Sequence, residues 1–458
     1  FRRVAAQRQF GREHQAGTVL IRSRGAIDDF LGVTRHVAHH EIQLSNTNFE
    51  SHGSRHIVQS KTGLKKKMDY VIRVHASPLD IPAHAWDALL AQQDAPSPFM
   101  QHAYLAALHT SGSATPDTGW TPQFVTLWQG ETLAAASALY LKDHSYGEYV
   151  FDWAWANAYA DHGLNYFPKA TCAVPFTPVP GSRLLAIDAV ARQALLQAML
   201  DVAKRRQLSS LHLLFTSPDD RTACDALDLM QRQTVQFHWH NADLQGTPFE
   251  SFDTFLASLS QEKRKKIKQE RRRVADAGVT FRTSVGSAIS TTDWDFFYQC
   301  YERTYLEHGN APYLSRTFFE HMQRDMPENW VLFVAERDNR PIASSLVAVQ
   351  GLGSAEAVAY GRYWGALERV DCLHFEACYY QPLNWCITNG VQRFEGGAQG
   401  EHKMARALMP VPTYSAHWLA HPAFADAVER FLERETAGVD NYLDHLAQRS
   451  PFKRQEPQ

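Results

Sequence analysis

The sequence predicts an α/β (α+β) fold built as two similar domains in tandem, each a mixed central sheet flanked by helices. Two observations lead to this prediction. Strand-like and helix-like segments alternate along the chain, and a strand–turn–strand pattern that begins at residue 124 recurs at residue 333, an offset of 333 − 124 = 209 residues. We therefore expect a first domain over residues 68–245 and a second domain over residues 246–458.

Each copy of the repeated pattern is a predicted β-hairpin followed by a further strand. Apolar residues flank a Gln-Gly turn in the first copy and an Asp-Asn turn in the second, which predicts strands at residues 124–128, 133–136, 333–337 and 342–345. The same offset aligns residues 149–156 with residues 358–365. A third equivalent strand is thus expected in both domains.

Helices are predicted between these strands. Apolar side chains recur at helical spacing in the later part of residues 181–207, and an apolar strand at residues 211–215 follows. The second half repeats this order, with a helix over residues 372–389 and a strand over residues 391–395. Two residues should interrupt or end the second helix, namely Pro382 and Gly390.

The first 67 residues differ from the rest in charge. They contain 12 Lys and Arg against 5 Asp and Glu, a net charge of 12 − 5 = +7, whereas the whole chain carries −3. They show no sustained periodicity, and the first methionine of the chain is Met68. We expect residues 1–67 to be a disordered or non-native extension; a basic targeting or nucleic-acid-binding arm is the alternative.

Composition narrows the class of protein. With 44% hydrophobic and 21% charged residues, and no apolar run near the roughly 18 residues of a membrane span, the chain is typical of soluble globular proteins. Its six cysteines form no C-x-x-C pair, which favours a reducing, cytoplasmic location. The G-x-S-x-G, Walker, dinucleotide-binding and H-E-x-x-H motifs are absent, so neither serine nucleophilic catalysis nor a metal centre is expected.

The densest group of reactive side chains lies in residues 393–403, where a strand-like segment leads into three glycines. Glycine permits positive φ and a close approach of backbone to a ligand, and the polar side chains that follow can bind or transfer protons. The candidate residues here are Gly397, Gln399, Gly400, Glu401, His402 and Lys403. A surface turn between a strand and a helix is the alternative interpretation.

A second candidate is the basic run at residues 262–273, in which eight of twelve residues are Lys or Arg and only Ile267 is apolar. Like charges along a helix repel one another, so this run favours a polyanionic partner such as a diphosphate, CoA or a tRNA backbone. The candidate phosphate-binding residues are Lys263, Arg264 and Lys268. An exposed basic helix without a partner is the alternative.

Residues 361–366 resemble in part the Arg/Gln-x-x-Gly-x-Gly/Ala loop that holds the CoA pyrophosphate in acetyltransferases of the GNAT superfamily. Arg362 and Gly365 fit that pattern, whereas Leu367 occupies its last position. The neighbouring region is rich in aromatic residues, and its candidate substrate contacts are Tyr363, Trp364, His374 and Glu376. For His374 a structural role is the alternative.

The segment of the first half that aligns with this region, residues 152–155, keeps an aromatic residue but lacks the glycines. We interpret the first half as a domain that keeps the fold without the site for the acyl donor. Asp152 and Trp155 are then candidate contacts to the acceptor.

Three segments together resemble the FemAB-like N-acyltransferases, often described as peptidoglycan biosynthesis or recognition proteins: residues 360–365, 373–381 and 394–403. The resemblance extends over residues 69–453 and implies tandem GNAT-like domains. It also implies transfer of an amino acid from aminoacyl-tRNA to the amine of a peptidoglycan precursor, as in the Fem transferases. One departure is the pair Ala407 and Leu408, where the family pattern has glycine and an aromatic residue.

The resemblance thus implies an N-acyltransferase that uses aminoacyl-tRNA or acyl-CoA as co-substrate, an amine of a small molecule or muropeptide as acceptor, and no bound cofactor. Glu401 or His402 is expected to act as base or proton relay, and Gln399 to orient the acyl group. The expected contacts to donor phosphates are Arg362, Lys403 and Arg406. A non-catalytic protein that binds a cell-wall precursor or RNA is the alternative.

Overall fold

The computed structural model describes residues 70–150, 152–398 and 400–453. The prediction for residues 1–67 and the candidate Gln399 lie outside the described residues. Within the described part of the chain, no helix combines the length and the apolar character needed to cross a bilayer.

The chain divides into two compact units. The first unit comprises residues 70–233 and 413–438, and the second unit comprises residues 234–412 and 439–453. The sequence-based division at residue 245 assigned residues 413–438 to the second domain, whereas the structure groups them with the first unit. Strand pairing explains the difference, because residues 415–419 form an antiparallel ladder with residues 210–214.

The first unit has a mixed α/β architecture. Its strands are β1 (Val71–His75), β2 (Trp120–Pro122), β3 (Phe124–Gln129), β4 (Thr132–Ser137), β5 (Leu139–Lys142), β6 (Lys169–Cys172), β7 (Leu185–Ala186) and β8 (Ser210–Leu214). Its helices are α1 (Ala83–Leu90), α2 (His102–Thr110), α3 (Trp153–Asp161), α4 (Ala189–Arg205) and α5 (Pro218–Asp225). One sheet has the order β1-β3-β4-β7; in the other, β2, β5, β6 and β8 are neighbours in that order.

The second unit is built around one sheet. In the order β10-β11-β12-β13-β14-β9 its strands are Val279–Val285, Trp330–Arg337, Arg340–Gln350, Val358–Ala366, Arg393–Ala398 and Met230–His240. Its helices are α6 (Phe252–Ser258), α7 (Gln261–Asp276), α8 (Thr291–Glu307), α9 (Arg316–Asp325), α10 (Leu373–Phe375) and α11 (Gln381–Thr388). Three elements, β9, β15 (Met409–Leu419) and α12 (Pro422–Ala447), begin in one unit and end in the other.

The predicted α/β class and both predicted hairpins are confirmed, since β3–β4 and β11–β12 are antiparallel pairs. The equivalence of residues 149–156 with residues 358–365 is wrong, because the latter lie in strand β13 whereas Trp153–Asp161 is helix α3. Alanines alternate with larger residues in α3 and imitate the two-residue period of a strand, but alanine favours a helix. Trp155 and Tyr159, four residues apart, form its buried face.

A buried ion-pair network connects the start of α3 to the sheet of the first unit. Lys169 on β6 donates hydrogen bonds to Asp152 at 2.5 Å and to Glu148 at 2.7 Å, and all three side chains are almost fully buried. Tyr166 donates to the same Asp152 carboxylate at 2.7 Å. Such burial costs hydration, which the opposite charges and hydrogen bonds offset. Asp152 is therefore a buried structural partner of Lys169 and Tyr166; its predicted contact to the acceptor stays a prediction.

The network continues through two histidines. His212 Nε2 lies 3.0 Å from Tyr166 Oη, and the Nδ1 atoms of His212 and His417 are 2.7 Å apart. One of these Nδ1 atoms must donate and the other accept, which suits two neutral rings. Burial lowers the pKa of His212 to about 3 and holds the pKa of His417 well below its usual range. Trp155 is 1% exposed and packs on both rings as part of the core, and its predicted contact to the acceptor stays a prediction.

The histidine pair predicts acid sensitivity of the first unit. Because both folded-state pKa values lie below the ordinary value of 6.5, the unfolded chain binds more protons, and stability falls as the pH drops from about 6.5 toward 3. We expect the urea midpoint to decrease from pH 7 to about pH 5, and to decrease less in the variant H212Q/H417Q. H84Q, at an exposed histidine, is the matched control. Equal pH dependence in wild type and H212Q/H417Q would contradict this explanation.

Gly365 marks a close approach between β13 and helix α8 of the second unit. A Cβ atom at this position would overlap the backbone carbonyl of Cys300. Thr304 of the same helix donates to the carbonyl of Trp364 at 2.9 Å and holds the helix at this distance. The contact therefore requires glycine for space.

The substitution G365A should lower the free energy of unfolding by about 1–3 kcal/mol, because the overlapping atom is rigid backbone. G438A is the matched control: this glycine lies in α12 with nothing within 4 Å of an added Cβ, and alanine there should stabilise the helix by roughly 0.5–1 kcal/mol. Urea unfolding of both variants measures the two effects. A G365A variant as stable as wild type would refute the steric account.

Candidate functional site

The parallel strands β13 and β14 pair over only part of their length. Their ladder consists of three residue pairs and ends at Tyr360 and Glu395, although β13 continues to Ala366 and β14 to Ala398. Beyond this point β13 remains paired with β12, whereas β14 pairs with β9. The two described strands thus separate and leave an opening between them.

A cleft of about 150 Å³ lies at this opening. It is lined by Ser345, Leu346, Val347, Gly361, Arg362, Tyr363, Trp364, His374, Cys378, Tyr379, Phe394 and Gly396. The structure therefore brings together four of the residues selected from the sequence, namely Arg362, Tyr363, Trp364 and His374.

Arg362 lies at an irregularity of β13. The register between β12 and β13 shifts between Leu346 and Val347, which makes Arg362 the extra residue of a β-bulge. Bulges redirect side chains and backbone groups and are frequent beside active sites. Residues 361–366 are thus part of a strand and not the predicted phosphate-binding loop at a helix N-terminus, since α10 begins only at Leu373.

A π-helical turn, Glu376–Tyr380, joins α10 to α11 beside the cleft. Pro382 follows it and has no N–H to donate to the carbonyl four residues earlier, so regular α-helical bonding fails here. The predicted interruption of the helix near Pro382 is confirmed in this form. Cys378 and Tyr379 of the π turn line the cleft, and Ser345 of β12 donates to a carbonyl of the same turn at 2.5 Å.

After β14 the chain turns into a short 3₁₀ helix, Glu401–Arg406, called here the His402 turn. Gly397 and Gly400 have φ values of +73° and +93°, which glycine adopts without strain. A Cβ atom on Gly400 would also overlap the ring of His402. Glycine at this position therefore permits the placement of His402.

Lys403 holds the segment before this turn from within. Its Nζ donates to the carbonyls of Gly396, Gly397 and Ala398 at 2.5, 3.3 and 2.9 Å, and its side chain is buried. Burial lowers the pKa of Lys403 to about 8. An ammonium group has three N–H donors, so these three carbonyls use all of them. These contacts give Lys403 a structural role, and its predicted contact to a donor phosphate stays a prediction.

Three side chains with transferable protons meet at the edge of the cleft. His402 Nε2 lies 3.4 Å from Tyr379 Oη, and the ring centroids of Tyr379 and His374 are 5.8 Å apart. Loss of hydration, reinforced by nearby positive charges, lowers the pKa of both histidines to about 4. Burial raises the pKa of Tyr379 far above its usual value. At neutral pH both imidazoles are therefore neutral, and the phenol keeps its proton.

Glu401 is engaged elsewhere. Its carboxylate accepts hydrogen bonds from Arg449 at 2.6 Å and from Tyr442 at 3.2 Å. Of the two residues predicted as base or proton relay, the structure brings His402 and not Glu401 next to the cleft residue Tyr379.

Arg406 lies inside the His402 turn and is 1% exposed. It donates to Glu270 at 2.7 Å, to Tyr380 Oη at 3.0 Å and to the carbonyl of His402 at 2.7 Å. Its guanidinium also stacks on Phe375, 3.7 Å from the ring centroid. These contacts bury the guanidinium inside the second unit; the predicted contact of Arg406 to a donor phosphate stays a prediction.

The basic run forms helix α7, which buries one face and exposes the other. The buried positions are Ile267, Glu270 and Val274. Lys268 is exposed, whereas Lys263 and Arg264 are half-buried, and Lys263 pairs with Glu262 at 3.0 Å. Lys268 thus lies away from the buried face and is accessible to a large anion. Lys263, four residues before Ile267, lies on the same side of the helix as the buried residues, in the first turn, where it stays partly exposed.

Seven of the predicted substrate contacts are not among the residues that line the cleft: Asp152, Trp155, Glu376, Gly397, Gly400, Lys403 and Arg406. Glu376 is 4% exposed and pairs with Arg271 of α7, whose Nε lies 3.2 Å from the carboxylate. Asp152 and Trp155 belong to the buried network of the first unit.

Tyr379 and Glu270 are among the residues of this region that the sequence did not single out as site residues, although Tyr379 belongs to the aromatic-rich segment. The spacing of Ile267, Glu270 and Val274, three and four residues apart, is a helical signal that places Glu270 on the buried face of a basic helix. No comparable signal selects Tyr379 from the aromatic residues around it, because the π turn shifts the helical phase.

A family model described as FemAB-like, peptidoglycan biosynthesis/recognition, matches residues 77–454. No curated protein sequence matches this chain significantly. Among solved structures, FemX has 11% identity and a TM-score of 0.46, with 76% of this chain and 98% of that chain covered. The C-terminal domain of a putative lysylphosphatidylglycerol synthetase from Agrobacterium fabrum has 11% identity and a TM-score of 0.48, with 78% of this chain and 97% of that chain covered. A tandem GNAT protein from the clavulanic acid biosynthesis pathway has 12% identity and a TM-score of 0.40, with 77% of this chain and 99% of that chain covered.

The family match spans most of the sequence. It confirms the resemblance found in the sequence, and this chain belongs to the FemAB-like family.

Proposed function

We propose that this chain is an N-acyltransferase that moves an acyl or aminoacyl group from an activated donor to an amine of a peptidoglycan precursor. The supporting observation is the cleft between the separating strands β13 and β14, lined by Gly361 and Gly396 and flanked by Tyr379. Acyl transfer to an amine requires contact between carbonyl and nitrogen, transfer of one proton and stabilisation of one oxyanion. The family's description, peptidoglycan biosynthesis or recognition, agrees with this acceptor.

The acyl group is proposed to lie along β13 in the cleft. Gly361 and Gly396 line the cleft with backbone atoms only, and the space that a Cβ would take at these two positions is filled by Phe394 and Leu408. Backbone N–H groups at the bulge around Arg362 are the proposed donors to the acyl carbonyl as it gains negative charge. A cleft of about 150 Å³ suits a small acyl group, since a cavity of roughly that size holds a benzene ring.

The proton route proposed here uses Tyr379 and His402. The amine nitrogen attacks the carbonyl carbon, the new C–N bond forms, and the bond from that carbon to the oxygen or sulfur of the donor breaks. The amine proton passes to neutral His402, while Tyr379 gives its hydroxyl proton to the departing atom and regains one from His402. One proton leaves the nitrogen and one reaches the leaving group, so no covalent enzyme intermediate is needed.

Aminoacyl-tRNA is the proposed donor, with acyl-CoA as the alternative. Helix α7 carries the exposed Lys268 and the partly exposed Lys263 and Arg264, and several positive charges along one helix suit an extended phosphate backbone. The described residues 361–366 form a strand, which gives a CoA pyrophosphate no helix N-terminus at that place. No bound cofactor is proposed, and the cytoplasm, which supplies both donors, is the proposed location.

A transfer assay with charged tRNA or acyl-CoA as donor and a UDP-linked muropeptide as acceptor tests this function. H402A and Y379F should each lower kcat about tenfold or more with little change in Tm, because they remove members of the proton relay. E401Q, next to His402 in sequence but paired with Arg449, is the matched control and should keep the wild-type kcat. Binding of the muropeptide or tRNA by wild-type protein without any transfer would identify a binding protein instead.

The proposed donor contact predicts a separable effect of α7. The variant K263A/R264A/K268A should raise the KM for a polyanionic donor and flatten its dependence on salt, with kcat unchanged, because fewer phosphates are neutralised. R205A/R206A, at exposed arginines at the end of α4, is the control with a similar loss of charge. An unchanged donor KM in the α7 variant would exclude this helix as the phosphate contact.

A further inference from the structure

Glu270 is the only acidic residue between Lys263 and Arg273, and it is 7% exposed. We propose that Glu270 is a positioning residue that ties the basic helix α7 to the His402 turn and thereby holds the proton relay in place. The kinetic consequences of this inference rest on the proposed acyl transfer; its structural consequences do not.

Glu270, Arg406 and Tyr380 form a closed triangle of buried, hydrogen-bonded groups. Glu270 Oε2 accepts hydrogen bonds from Arg406 Nη2 at 2.7 Å and from the hydroxyl of Tyr380. Arg406 Nε also donates to Tyr380 Oη at 3.0 Å. Arg406 and Tyr380 are at most 1% exposed. The carboxylate therefore fixes the plane of the guanidinium, and water does not compete for these contacts.

Arg406 carries this constraint to the relay. Its Nη1 donates to the backbone carbonyl of His402 at 2.7 Å, whereas Nη2 is the nitrogen that donates to Glu270. The guanidinium stacks on Phe375, and the Phe375 ring in turn lies 6.0 Å from the ring of His402. Both the backbone and the ring of His402 are thus placed by groups that depend on the orientation of Arg406.

The adjacent residue of α7 anchors the other half of the relay. Arg271 pairs with Glu376, the first residue of the π turn that also carries Tyr379. Two consecutive residues of α7 thus bind the two elements of the relay: Glu270 binds the His402 turn and Arg271 binds the π turn. The side chains of His402 and Tyr379, one from each element, lie 3.4 Å apart. This arrangement makes α7 a common support for Tyr379 and His402.

Energetics favour positioning over stability as the role of Glu270. A buried ion pair loses much of its Coulombic gain to desolvation, and apolar replacement of both partners is often neutral. Its contacts do, however, select one orientation of the guanidinium and so one position of the His402 carbonyl. Removal of the charge should therefore change geometry at the relay more than it changes the affinity for donor.

The test compares E270Q with E262Q in the full chain. Both substitutions are isosteric and lie on α7, but Glu262 is exposed and pairs only with its neighbour Lys263 among the described residues. We expect E270Q to lower kcat about tenfold with donor KM within about twofold, and E262Q to change neither. E270D keeps the charge and should recover part of the lost kcat.

Hydrogen–deuterium exchange supplies a readout that does not depend on activity. Amides in residues 400–407 should exchange faster in E270Q than in wild type or E262Q, while those of β11 and β12 keep the wild-type rate. Unchanged exchange in residues 400–407 overturns the inference. If the wild-type protein shows transfer, an E270D variant with no more activity than E270Q overturns it as well. Faster exchange in E270Q together with no transfer by wild-type protein supports the positioning role and removes the proposed acyl transfer.

Discussion

The end of the β13–β14 ladder after three residue pairs is the constraint on which the candidate site depends. A parallel ladder leaves no room for a ligand between its strands, so a cleft can form only where the pairing ceases. Backbone groups released from a ladder need other partners when they are buried. Lys403 meets that need at the end of β14, where its ammonium serves three successive carbonyls. One buried side chain thus allows β14 to leave the ladder without stranding polar groups.

Each unit contains a buried cation that is paired with a buried carboxylate, and the pair in the second unit also contacts the candidate site. In the first unit a lysine is held by Asp152, which also accepts from Tyr166, and in the second unit an arginine is held by Glu270, which also accepts from Tyr380. A lysine ammonium is a compact point charge, and Lys169 is satisfied entirely within its cluster. A guanidinium has five donors in a fixed plane, so Arg406 has a donor left for the His402 carbonyl. Because Arg406 has this additional donor, its cluster is hydrogen-bonded to the candidate site, whereas the hydrogen bonds of Lys169 stay within its own cluster.

Local sequence patterns were sufficient for the hairpins, the interrupted helix and its glycine end, because each depends on residues close together in the chain. Gly390 indeed follows α11 with a φ of +67°. Most of the differences from the sequence-based predictions involve contacts that form only in the folded chain. Lys403 and Arg406 look like exposed charges in a polar segment, and only the fold reveals that their partners are carbonyls and a carboxylate inside the second unit. The alternating alanines of α3 failed for another reason, because a two-residue period is compatible with both states.

The placement of charge bears on the kind of donor that suits this molecule. Lys403 and Arg406, the cations nearest the relay in sequence, are consumed by internal contacts, and the accessible positive charge of this region lies instead along α7. The reactive carbonyl of the donor would then bind between β13 and β14, and the phosphates of the donor would bind along the sixteen-residue helix α7. A compact donor whose phosphates sit beside its acyl group gains little from such a separation. An extended polyanion that carries its acyl group at one end can occupy both, and contacts along α7 then act on the helix that supports Tyr379 and His402.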